Sequence, residues 1–162
     1  MKSKKGEDTK HDLITFLDHT VTGILVATGF PPRIVFVNET LTKMLGYTKK
    51  EFLSLSPLQI MHLVYKDDRK SFFERYKKRI SGKKNEPFFE FRGVHKNRKI
   101  IWLNYRAQHI QYEGHSAIQA SFTDVTGKYE IKSALAEKEF RYQAIFNETF
   151  QFTGLLTTDG TV

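Results

Sequence analysis

"KIIWLNYRAQHIQ", residues 99–111, contains no Gly or Pro and alternates strictly along its middle. Ile101, Leu103, Tyr105 and Ala107 take one parity; Trp102, Asn104, Arg106 and Gln108 take the other. A period of two puts these sets on opposite faces of an extended strand. The β-branched and aromatic residues agree with that reading. Upstream, "FFEFRGV" (88–94) is a second strand, and downstream "SAIQASFTDVT" (116–126) is a third, with Ile118, Ala120 and Phe122 on one face. Only Lys96-Asn97-Arg98 and Tyr112-Glu113-Gly114 separate the three, so they form an antiparallel meander.

The front half has a different grain. Leu13, Phe16 and Leu17 in "DLITFLDHT" (12–20) have helical spacing. "TGILVAT" (22–28) and "IVFVN" (34–38) are strands joined by "GFPPR", whose tandem prolines cannot enter a ladder. Asn38 then caps a short helix, "ETLTKML", which Gly46 ends. Thr48 and Glu51 form a capping box for the next. "SPLQIMHLV" adds a turn or two. Asp67 or Asp68 caps the longest helix, with Phe72, Phe73, Tyr76 and Ile80 on one side and Ser81-Gly82 at its end. Two strands, several short helices, then three strands make an α+β protein. Its five-stranded antiparallel sheet carries short helices on one face, and a C-terminal linker helix follows.

Bulk composition narrows the function. The chain has 162 residues, 14 Phe and no Cys, which removes disulfides, thiolate metal sites and Cys nucleophiles. No apolar run approaches the roughly 18 residues of a membrane span, and the N-terminus lacks a signal-peptide stretch, so the expected location is cytoplasmic. The net charge of +8 raises nucleic acid as a partner. The densest basic run, Lys66 to Lys84, is interrupted by Asp67, Asp68 and Glu74. It reads as the solvated face of a helix, which counts against nucleic acid. There is no phosphate loop and no Ser-His-Asp arrangement. His109 and His115 flank a turn near Glu113, too few ligands for a metal.

Four motifs in order carry a family resemblance. "NETLTKMLGYTKKEFL" (38–53) resembles the segment of PAS domains in which an Asn opens a helix and Gly-Tyr precedes a Glu-containing helix. "YKDDR" (65–69) resembles the family's His-Pro-Asp-Asp-Arg helix start, with Tyr65 and Lys66 standing for His-Pro. "HKNRKIIW" (95–102) is similar to the family's Lys-Asp-Gly hairpin and Trp-bearing strand, and "DVT" (124–126) to its closing Asp-(Ile/Val)-Thr. The resemblance spans residues 13–126. It implies a sensory, non-catalytic module that detects a small-molecule or protein signal. The signal would pass through the terminal helix to a downstream output, a histidine kinase first among them. The competing reading is a ligand-free dimerisation scaffold in a diguanylate cyclase or transcriptional regulator. LOV-type flavin photochemistry needs a Cys and is excluded. Haem in this family takes a His from the long helix; residues 68–80 hold none, and His62 before it is expected to be a partly buried, backbone-bonded residue.

The candidate ligand site is a cavity between helices and sheet lined by Phe36, Met44, Phe52, Ile60, Met61, Phe73, Leu103, Tyr105 and Phe122. The same residues also describe a filled core, the default for a close-packed interior. The resemblance gives signal transmission to Asp124 and Thr126, though Asp124 also suits a local backbone contact. Ile131, Leu135, Lys138, Tyr142 and Ile145 follow at coiled-coil steps with Lys138 breaking the apolar rule, and an amphipathic helix packed on its own sheet fits equally. Trp102, Arg106 and Gln108 mark the other sheet face, where the leading helix or a second protomer would sit. Homodimerisation is expected through that face or the terminal helices.

One repeat completes the organisation. "TGILVATG" from Thr22 returns as "TGLLTTDG" from Thr153. The expected layout is a flexible tail at 1–11, a PAS domain at 12–126, a linker helix at 127–148 and the truncated start of a second PAS-like repeat at 149–162.

Overall fold

The computed structural model describes residues 15–83, 86 and 88–153, with side chains described as far as residue 147. The expected tail at 1–11 and the repeated strand after Thr153 lie outside them. Contacts divide the chain at Val125/Thr126 into two units.

The first unit is built on a five-stranded antiparallel sheet: β1 (Gly23–Thr28), β2 (Arg33–Val37), β3 (Phe88–Val94), β4 (Ile100–Tyr112) and β5 (His115–Asp124). Spatial order is β2-β1-β5-β4-β3. The first and last strands are therefore central neighbours, with Gly23 opposite Phe122 and Thr28 opposite Ala117. The β4–β5 link is a two-residue turn with both residues at positive φ, Glu113 at 49° and Gly114 at 78°. That is the hairpin whose twist matches the flanking strands. The alternation of β4 is realised in burial: Ile101, Leu103, Tyr105 and Ala107 are buried, while Arg106 and Gln108 are exposed.

Four helices lie between β2 and β3: α1 (Glu39–Leu45), α2 (Lys49–Leu53), α3 (Pro57–His62) and α4 (Arg69–Ile80). Each of the first three begins where a side chain satisfies a free amide. Asn38 accepts from Leu41 N, and Gly46 ends α1 at φ 78°. Thr48 and Glu51 close a capping box on α2, and Ser56 and Gln59 close another on α3. Leu41, Leu45, Phe52 and Tyr76 from the helices meet Leu103, Ile118 and Phe122 from the sheet in one core.

Two expectations are corrected here. Asp68 occupies the cap position of α4, but its side chain makes no cap hydrogen bond. Its carboxylate instead takes Arg92, from Nε at 3.0 Å, Nη2 at 2.7 Å and the backbone N at 2.8 Å. A charged bidentate partner outcompetes a neutral amide. The basic run is also not a uniformly solvated face. Arg69 Nε donates to Val64 O at 2.9 Å, Arg75 pairs with Glu86 at 2.8 Å, and Arg79 is buried.

The second unit is described only as α5, a helix from Thr126 to Thr153. It begins one residue before the expected linker and continues past 148.

Candidate functional site

Asn38 anchors one end of the helical layer. It is fully buried, and all its hydrogen-bonding capacity is used. Oδ1 accepts from Ile24 N at 2.7 Å and Leu41 N at 3.1 Å; Nδ2 donates to Leu17 O at 2.8 Å and Thr22 O at 2.9 Å. One side chain thus ties together the turn before β1, β1 itself and α1.

Between the helices and the sheet remains a cavity of about 70 Å³. Ligand pockets are typically several hundred Å³, so the core is nearly filled. Aromatic rings do most of the filling. Phe72 lies 4.8 Å from Phe91 and 5.3 Å from Tyr105, and Tyr105 lies 5.3 Å from Phe122, centroid to centroid. Tyr76 donates its hydroxyl to Gly29 O at 3.0 Å, and burial pushes its pKa up. Burial also raises Tyr105, to about 12, with Arg79 pulling the other way.

Phe52, Ile60, Phe73, Tyr105 and Phe122 line this cavity. The other four expected residues do not. Leu103 is buried in the core, and Met44 packs against that core from its rim. Met61 is half-buried outside the wall, because the short α3 turns Ile60 inward instead. Phe36 is misplaced by a β-bulge. The β1–β2 register shifts between Val26 and Ala27, so Ala27 faces Ile34 while Val26 faces Phe36. Ile34 joins the wall and Val37 is fully buried, while Phe36 stands with Lys49 Nζ 5.7 Å from its ring.

Arg79 was not anticipated. It is 5% exposed, in the last turn of α4, and its Nη2 donates to Glu86 O at 2.5 Å. A signal existed: Phe72, Tyr76 and Arg79 are spaced four and three apart, which puts the arginine on the apolar stripe. His62 is exposed rather than partly buried. His109 Nε2 meets Ser116 Oγ at 2.7 Å and His115 Nδ1 meets Glu113 O at 2.9 Å. Among the described residues no group of three potential ligands is gathered for a metal.

Ion pairs brace the surface around the helices, and two of them join a helix to β3 or to the turn after it. Besides Asp68–Arg92, which holds the Asp68 carboxyl below its ordinary value, Lys96 Nζ lies 2.7 Å from Glu51. The Lys96 hydrogen bond, with the Thr48 amide, lowers Glu51 to about 2.

At the end of the sheet, Asp124 pairs with Leu103 as the last residue of β5, Val125 N donates to Trp102 O at 2.8 Å, and Thr126 begins α5. On α5, Ile131 and Leu135 are exposed, as are Tyr142 and Ile145, and Lys138 Nζ stands 6.0 Å from the Tyr142 ring.

A family model described as the PAS fold matches residues 34–121. The chain belongs to the PAS fold family. Solved PAS structures superpose on it. A PAS domain of an HTR-like protein from Haloarcula marismortui is 20% identical with TM-score 0.60, over 76% of this chain and 98% of that one. A sensory box histidine kinase/response regulator from Burkholderia thailandensis is 15% identical with TM-score 0.57, over 83% and 98%. The N-terminal domain of a diguanylate cyclase with PAS/PAC sensor from Marinobacter aquaeolei is 11% identical with TM-score 0.54, over 67% and 98%. At these identities the likeness establishes the fold. No curated protein matches the chain significantly by sequence. The PAS fold is a sensory one, and its modules are generally non-catalytic. Among the described residues no helix is long and apolar enough to cross a membrane.

Proposed function

We propose that this PAS domain senses a small-molecule or protein input at its helical layer and hands the response to α5, for a cytoplasmic histidine kinase downstream. The observation that carries the reading is the junction. β5 ends at Asp124, Val125 is still hydrogen-bonded to Trp102 O, and Thr126 opens a 28-residue helix with no intervening loop. A change in how the helices sit on the sheet would reach β5 and then the helix start with no slack segment to absorb it. Such a relay works only if the input binds two packings of the layer unequally. Asp124, Thr126, Ile131 and Leu135 are its transmission residues. The layout carried with this reading is a sensor to residue 126, a linker helix, and the beginning of a second PAS-like repeat. Catalysis is assigned to other domains.

The test is a fusion of this chain through α5 to a histidine kinase core. Asp124→Ala and the cavity-filling Ala120→Leu are each expected to change autophosphorylation by roughly fivefold or more, the scale of a 1 kcal/mol bias. Kinase activity indifferent to both substitutions defeats the reading.

The small cavity favours a second reading, a ligand-free scaffold that dimerises through the sheet face or terminal helices, as suits a diguanylate cyclase or transcriptional regulator. It predicts a dimer in sedimentation that Ile131→Asp with Leu135→Asp, or Trp102→Ala, dissociates, and a kinase fusion insensitive to Ala120→Leu.

A further inference from the structure

Among the described residues, the wall of the cavity between the helices and the sheet carries no charged side chain. Its polar side-chain atoms are the phenol oxygens of Tyr76 and Tyr105, and both have partners that lie outside the wall. Tyr76 donates to Gly29 O at 3.0 Å, and the Tyr105 oxygen is hydrogen-bonded to the Arg79 side chain. The strand backbone of the wall is used as well: Leu25 pairs with Ala120, Ala27 with Ile118 and Tyr105 with Phe122 in the sheet. The space therefore presents hydrocarbon and ring surface, with its polar atoms committed elsewhere.

That chemistry decides what fills it. A void in a close-packed interior forfeits contacts on every side. Water does not restore them here, because a buried water needs roughly two to four polar partners. An ion or an alcohol would be stripped of its hydration with nothing in return. A molecule without hydrogen-bonding groups loses nothing of that kind on entry. Size completes the description. An apolar cavity of about 150 Å³ takes benzene or xenon; at about 70 Å³, this one takes roughly two or three heavy atoms. Such an occupant would face Ile60 and Phe72 on the helical side and Ile118 and Phe122 on β5 at the same time, so it would favour one packing of the layer on the sheet.

We propose that this cavity binds a small uncharged molecule with no hydrogen-bonding group, a light hydrocarbon or dissolved apolar gas of about two or three heavy atoms. This rests on the reading of the helical layer as the input site and names the chemical class that the site accepts.

Methyl NMR of the full chain under pressurised ethane tests it, against methanol at equal concentration, which has the same heavy-atom count and a hydroxyl. Ethane is expected to shift the methyls of Leu41, Ile60, Leu63 and Ile118 in a saturable way. It is expected to bind at least about tenfold more tightly than methanol, the scale of burying a hydroxyl without a partner. The exposed methyls of Ile131 and Leu135 on α5 should not move. Ala120→Leu is expected to remove the wall shifts. Dioxygen in place of ethane separates the two sources: a response to ethane alone marks a hydrocarbon, a response to dioxygen marks a gas, and each supports the class. Methanol binding as tight as that of ethane overturns the proposal. So do shifts equal at the wall and on α5, or no wall shift with either ethane or dioxygen; none of these needs a variant. The kinase fusion separates this proposal from the wider reading. A fusion that answers Ala120→Leu while the chain ignores ethane and dioxygen keeps the helical layer as an input and removes this ligand class. A chain that binds ethane while the fusion ignores both ethane and Ala120→Leu keeps the site and removes its signalling role.

Discussion

Asn38 and Arg79 are both buried polar side chains, one before the first of the four helices and one in the last turn of the fourth, and they are treated in opposite ways. Asn38 has all of its donors and acceptors met by backbone groups of three different segments. Arg79 has one nitrogen on a carbonyl and another on nothing. A buried amide used to capacity specifies one arrangement of the chain, and its removal strands several partners at once. A buried cation with only part of its donors met ties down fewer segments, and its removal strands fewer partners. The first side chain holds three segments together; the second is held by the backbone of one.

The sharpest way to break this contrast is Asn38→Ala. It removes the α1 cap and leaves Ile24 N, Leu17 O and Thr22 O short of partners, so urea unfolding should show a loss of about 3 kcal/mol. A loss below about 1 kcal/mol would make the two side chains alike. Arg79→Met should move the other way, stabilising the chain by about 1 kcal/mol, because a flexible apolar side chain replaces a buried charge with no carboxylate partner. Destabilisation would mean that Arg79 is structural after all.

Smaller effects come from the ion pairs that frame the layer. Asp68→Asn should cost about 1 kcal/mol at neutral pH, a modest figure because the pair is partly exposed. Arg92 lowers the folded-state pKa of Asp68, so its contribution is present above the ordinary 3.8 and is lost as pH falls below it. Acid unfolding of the variant should accordingly be flatter in that range. Glu51→Gln should have the slightest effect at neutral pH. Its signature is again in acid: with the folded value near 2 against an ordinary 4.5, the stabilisation disappears between those values as pH falls. Thermal melts from pH 5 to pH 2 should lose part of their slope in this variant.

What could be read from the sequence, and what could not, divides along similar lines. The alternation of β4 and the caps at Asn38, Thr48 and Gly46 are local signals, complete within a few residues, and the structure shows them as expected. Phe36 failed because its face depends on a bulge between β1 and β2, a property of the pair rather than of either strand. Asp68 looks like a cap until Arg92, distant in sequence, arrives from β3. Arg79 was absorbed into a basic run because charge counting ignores helical phase. Phe52, Ile60, Phe73, Tyr105 and Phe122 were found from apolar character and position along the chain, and that same character conceals how little space is left between them.

The adjacency of β1 and β5 has a mechanical consequence. Because the two are antiparallel and Gly23 faces Phe122, the chain enters and leaves the sheet at the same end. Tension between the flanking segments would fall on that outermost rung first and peel the ladder open one pair at a time, instead of shearing all its bonds together. A unit threaded into a longer polypeptide in this way yields to weak pulling, and it yields at the strand that leads into the terminal helix.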